Sequence, residues 1–87
     1  MGMKAVDGEL RLRRLTVDEA LALLEPYLYD AYMAGLSQVR VVHGKGTGDL
    51  RRAVQRFLDN HPLVKSYRFG GSGEGGYGAT VVELRER

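Results

Sequence analysis

The chain has 87 residues, no cysteine, a formal net charge of +2 and 44% hydrophobic residues, which describes one small domain. Such a chain can build a two-layer core but not a deep cleft enclosed on all sides. Disulfides and thiolate metal sites are excluded, and no apolar run approaches the roughly 18 residues a membrane span needs. A net charge this small argues only weakly for a polyanionic partner, so the placement of the basic residues must carry that case.

Residues 1–8 lack the apolar core of a signal peptide and read as a frayed leader of a cytoplasmic protein. Met1-Gly2-Met3 reads as an artificial start, so the natural chain is expected to extend upstream, with the domain proper at residues 9–87. From Glu9 to Arg13 polar and apolar residues alternate, predicting a half-buried strand with Leu10 and Leu12 inward. Thr16 and Glu19 form a capping box, after which Val17, Leu21, Leu24, Leu28 and Ala31 make an apolar stripe that ends at Gly35. Pro26 lies opposite that stripe and should bend the helix around a sheet. Val39 to Val42 reads as a second strand. Asp49 to Asn60 reads as a second helix, with Leu50, Ala53, Val54, Phe57 and Leu58 at helical spacing and Asn60 and Pro62 closing it. Val64 to Phe69 and Ala79 to Leu84 are the remaining strands, separated by the glycine-rich stretch 70–78.

The order strand, helix, strand, helix, strand, strand implies an α/β sandwich with two crossover units. The first three strands should then be parallel, and the last antiparallel to its neighbour. The carboxyl ends of parallel strands share one edge, where open α/β sheets bind ligands. Arg13, Arg14 and the start of the 70–78 loop should meet there with His43-Gly44-Lys45-Gly46-Thr47-Gly48. These last six residues form a strand-to-helix turn whose glycines and helix N-terminus suit a phosphate. The turn is neither a Walker A loop, lacking the Gly-Lys-Ser/Thr ending, nor a dinucleotide fingerprint, since the third glycine position falls on Asp49. Taken alone, the glycines are also compatible with a tight turn of no chemical purpose.

In these residues the chain resembles the Smr (small MutS-related) domain, most closely the version that ends the second bacterial MutS paralogue. The resemblance rests on Leu10-Arg11-Leu12-Arg13 before the capped helix, Gly35-Leu36 before the second strand, HGKGTG at 43–48, and Gly73-Glu74-Gly75-Gly76 leading into Gly78-Ala79-Thr80-Val81-Val82. It implies a two-layer βαβαββ sandwich like the C-terminal domain of translation initiation factor 3. That fold has a four-stranded mixed sheet of order 1-2-4-3 with two helices on one face. The implied function is nicking of DNA, often branched, without sequence specificity and linked to suppressing recombination, with ribosomal RNA and ribosome rescue as the alternative. It also implies a homodimeric parent with an ATP-using region upstream. One departure stands out: the family usually has an Asp where this chain has Arg11 and a Gly where it has Arg14.

Each residue singled out has a chemical reading beside a structural one. His43 is a general acid or base for phosphodiester cleavage, or a strand-end histidine bonded to a loop carbonyl. Lys45 meets the phosphate and its transition-state charge, or is an ordinary exposed lysine. Thr47 bonds a phosphate oxygen or caps the second helix. Glu74 binds a divalent ion such as Mg2+ or Mn2+ or activates water, or is a solvated loop acid. Gly44, Gly46 and Gly48, with Arg51 and Arg52 beyond them, complete the phosphate-binding set. Arg11, Arg13 and Arg40, with Arg14 at the strand's end, form a nucleic-acid track or merely discourage sheet stacking. Tyr67, Phe69 and Tyr77 could stack on unpaired bases, and the tyrosines of the first helix offer a contact for self-association.

Overall fold

The structure is a computed structural model that describes residues 7–86; the expectations for residues 1–6 lie outside the described residues. In chain order it comprises β1 (Glu9–Arg11), α1 (Val17–Met33), β2 (Gln38–Val42), α2 (Asp49–Asp59), β3 (Val64–Phe69), a short 3-10 turn (Gly76–Gly78) and β4 (Ala79–Leu84). The sheet order is β1-β2-β4-β3, with β1 parallel to β2 and β4 antiparallel to both its neighbours. Inserting β4 between β2 and β3 leaves the first three strands pointing the same way, so their carboxyl ends share one edge.

Strand alternation sorts the residues. Val39, Val41, Val82 and Leu84 pack with Ala20, Leu24, Leu28 and Ala31 of α1 and with Val54 and Leu58 of α2, so both helices cover one face. Arg40 and Val81, out of phase with that set and paired across strands, point to the open face.

Two local features differ from the pattern read in the sequence. The buried stripe of α1 begins at Ala20, because Val17 occupies the first helical turn and stays 36% exposed. β1 stops at Arg11, because the chain turns at once: the Leu15 amide reaches back to the Leu12 carbonyl at 3.3 Å, and Arg14 sits at φ 71°. Leu12, although past the strand's end, keeps its amide on the Val42 carbonyl at 2.7 Å and is fully buried. The capping box is present as read, with the Glu19 amide donating to Thr16 Oγ1 and the Thr16 amide donating to Glu19 Oε1. Pro26 lies inside the continuous α1 helix on its exposed side, where water can meet the Ala22 carbonyl that the missing N-H leaves unpaired.

His61 closes α2 onto α1. Its Nδ1 accepts the Leu63 amide at 3.1 Å, its Nε2 lies 3.0 Å from Glu25 Oε1, and its ring packs on Phe57. No described helix is long and apolar enough to cross a membrane.

Candidate nucleic-acid interface

The β2–α2 turn is built by backbone that non-glycine residues rarely adopt. Gly44, Gly46 and Gly48 take φ of 81°, 22° and 90°, alternating with Lys45 and Thr47, and this alternation turns successive amides toward one concavity. His43 and Gly44 donate their amides to the Gly78 carbonyl at 3.0 and 2.9 Å, tying the turn to the start of β4. Thr47 Oγ1 accepts the Asp49 amide at 3.3 Å from the position before the N-cap, which is Gly48 and carries no side-chain cap. Among the described residues, the amides of Lys45, Gly46, Thr47, Gly48, Leu50 and Arg51 have no protein acceptor. They lie at the positive end of an 11-residue helix.

Four cations close on this turn. A shallow cleft of about 330 Å³ is lined by the turn together with Arg14, Thr16, Val17 and Arg51. Arg13 lies against Gly44, its Cγ 3.5 Å from where a Gly44 side chain would begin. Lys45 runs its stem along Gly78. Arg51 folds back so that its Nη2 lies 3.0 Å from the corresponding point on Gly48. Its Nε is buried with no hydrogen-bond partner among the described residues. None of Arg13, Arg14, Lys45 and Arg51 makes an ion pair within the described residues, whereas Arg52 is paired with Asp49.

The remaining basic residues are separated from that cluster. Arg11 and Arg40 lie on the open sheet face, where Glu9 binds Arg11 Nε at 2.9 Å and Arg40 Nη2 at 2.7 Å. The position where the family resemblance places an acid is thus occupied by a cation, and Glu9 neutralises it in part. Glu74 lines the same open face and is not brought to the turn. Two contacts from Arg68, at 2.9 and 3.2 Å, and the Gly71 amide hold its carboxyl at a pKa of about 2. The single arginine track therefore divides into an ion-paired open face and an unpaired turn.

His43 is 5% exposed, so the adjoining glycines do not make its ring accessible. The hydrogen-bond network assigns its tautomer. Nδ1-H donates to the Gly44 carbonyl at 2.9 Å, which leaves Nε2 to accept the Thr80 hydroxyl at 2.8 Å, while Gln55 donates to that same hydroxyl oxygen at 3.2 Å. Burial pushes the imidazole below its ordinary value; the Gly44 carbonyl opposes this and the Arg51 charge reinforces it. The ring is neutral at pH 7, and its geometry pins the turn.

Thr80 and Gln55 are the functional neighbours that sequence reasoning missed. A hydroxyl in phase with the inward Val82 and Leu84 of β4 was the available signal. Tyr67, one of the three aromatics read as base-stackers, is used internally, its hydroxyl donating to Asp59 of α2 at 2.5 Å. A metal ion finds little here: among the described residues no group of three or more His, Asp or Glu is placed to hold one, and Glu9 and Glu74 are committed to arginines. The donor set does not fit a divalent ion.

A strand-to-helix glycine turn, β4 inserted into the sheet and residues 10–85 matching the Smr domain family together place the chain in that family. Its relatives narrow the kind. "Endonuclease MutS2" of Pelotomaculum thermopropionicum is 58% identical over 81 residues, covering 93% of this chain and 10% of that protein. The Caldicellulosiruptor saccharolyticus protein of the same name is 53% identical over 83 residues. The crystal structure of the Smr domain of Thermus thermophilus MutS2 matches with a TM-score of 0.85 at 48% identity, covering 88% of this chain and 96% of that one. YdaL, a stand-alone small MutS-related protein from Escherichia coli, matches with the same TM-score at 32% identity, covering 91% of this chain and 65% of that one. This chain spans about a tenth of the length of the MutS2 relatives.

Proposed function

We propose that this domain grips the sugar-phosphate backbone of DNA at the β2–α2 turn. There it serves a nicking endonuclease that acts without reading sequence, on branched or recombination intermediates, and so suppresses homologous recombination. The observation that carries the reading is the convergence of uncommitted amides and unpaired cations on one cleft. Phosphate oxygens satisfy both, and no base edge need be read. The endonuclease name of the MutS2 relatives supports the cutting step. Lys45 and Arg51 supply the charge that stabilises a phosphorane-like transition state. His43, neutral at pH 7, is the nearby proton acceptor, with its Nε2 held by the Thr80 hydroxyl. The same reading takes the domain as part of a longer homodimeric protein whose ATP-using region lies outside these residues.

A second reading is favoured by the sealed ring of His43 and by Arg11 at the acid's position: a module that docks on branched DNA or ribosomal RNA without cutting. Supercoiled plasmid separates the two. Under the first reading the purified domain converts it to the open-circular form, and Lys45→Ala slows that conversion about tenfold or more. Because the acids present do not fit a divalent ion, the conversion is expected to persist in EDTA as well as in Mg2+ or Mn2+. Plasmid left intact under every condition, with Lys45-dependent binding retained, supports the second reading instead.

A further inference from the structure

Lys45 lines two clefts. Beyond it from the turn, a shallow opening of about 600 Å³ is bounded by Lys45, Phe69, Tyr77 and the glycines of the β3–β4 loop. Two aromatic rings stand exposed in its wall, Phe69 at 37% and Tyr77 at 67%. They pack edge to face, with centroids 4.8 Å apart and planes at 88°. The Arg51 guanidinium lies 5.6 Å from the Phe69 centroid. Among the described residues no acid lines this cleft. Aromatic surface bordered by cations that are themselves shared with the phosphate turn fits an anionic polymer whose units carry flat rings.

We propose that Tyr77, backed by Phe69 and Arg51, is a stacking platform for an unpaired base of the DNA strand whose phosphate rests on the turn. The proposal rests on the phosphate reading above and deepens it by naming the substrate feature selected. Within a duplex both faces of every base are covered by its neighbours, so only a base out of the stack can present a face to Tyr77. The platform therefore makes the domain prefer strand junctions and single-stranded branches to continuous duplex. Arg51 couples the two sites, since one guanidinium borders both Gly48 and the Phe69 ring.

Fluorescence anisotropy with three DNAs tests this: a duplex, the same duplex carrying a single-stranded branch, and that branch with abasic residues next to the junction. Tyr77 is two-thirds exposed, so its replacement leaves the fold intact. Tyr77→Ala is expected to weaken binding of the branched DNA about tenfold while leaving the duplex and the abasic branch within twofold, and Tyr77→Trp to retain the parent's preference. Unchanged binding of the branched DNA by Tyr77→Ala, or an equal loss on the abasic branch, would overturn the platform. Lys45→Glu is the separate control on the phosphate reading and is expected to weaken all three DNAs. If it weakens none while the Tyr77 effect persists, the phosphate reading fails and the platform stands.

Discussion

Two histidines show how far one residue type can be read before its surroundings are known. His61 and His43 both end elements, and both use both ring nitrogens, yet only His43 borders the turn. Its role as a strand-end imidazole bonded to a loop carbonyl was open to the sequence. Its second partner was not, because Thr80 is 37 positions away and reaches it only through the insertion of β4. The depressed pKa has a stability consequence. An unfolded His43 titrates near the ordinary 6.5, and the folded one below it. The unfolded state therefore binds more protons in that interval. Stability is at its full value above the unfolded pKa and falls as pH drops through that value toward the folded one. Urea unfolding at pH 7.5 and pH 5.5 is expected to show this loss in the parent and a smaller loss in His43→Asn. Equal losses would mean the imidazole is not held neutral. Arg14 gives a second residue-scale test. It holds φ 71° where the family resemblance places a glycine, and a left-handed backbone costs a non-glycine residue about 1–2 kcal/mol. Glycine there relieves that strain but adds unfolded-state entropy worth about 0.5–1 kcal/mol. Arg14→Gly is therefore expected to raise stability by about 0.5–1 kcal/mol, about 3–6 °C in Tm, and to weaken DNA binding by removing a cation from the cleft. A lower Tm would contradict the assigned strain.

At the scale of elements, the strands and helices were legible because their signals are local. The capping box joins residues three apart, the stripe of α1 covers one helical face, and the alternation in β1 its own few side chains. Boundaries shifted where a neighbour intervened, as at Arg11, where the turn carrying Arg14 cuts the strand short. The glycine-rich loop between β3 and β4 is specifically folded. The Gly70 amide pairs with the Ala79 carbonyl at 3.0 Å, and a side chain on Gly70 would begin 2.6 Å from the Glu74 carbonyl oxygen and 3.0 Å from that of Gly76. Backbone must move to admit it. Gly70→Ala is expected to cost about 1–3 kcal/mol in urea unfolding and to disturb the Phe69–Tyr77 contact. A change below about 0.5 kcal/mol, the range of an ordinary surface substitution, would show the loop to be loosely held.

Across the whole molecule, the topology sets the site and the charges choose between its two faces. Parallel β1 and β2 bring Arg13, Arg14 and the glycine turn to one edge, which the order of elements alone had indicated. Which arginines remain unpaired was not legible, because Glu9 meets Arg40 across strands and Glu74 meets Arg68 through a loop fold. Cations already held by carboxylates have less to gain from phosphates than those without partners. Binding is expected to fall with rising salt with a log-log slope of about −3 to −4, reflecting Arg13, Arg14, Lys45 and Arg51 at roughly 0.9 per phosphate contact. Lys45→Ala should reduce that slope by about one, whereas Arg40→Gln leaves it nearly unchanged. The reverse pattern would move the binding surface to the open face.

The contact itself is read most directly by nuclear magnetic resonance of the nitrogen-15-labelled domain during titration with a short DNA duplex. The largest amide shifts are predicted at Lys45, Gly46, Thr47, Leu50 and Arg51, the turn whose N-H groups await an acceptor. Shifts concentrated instead on Glu9, Arg40 and Glu83, with the turn amides unmoved, would contradict the account.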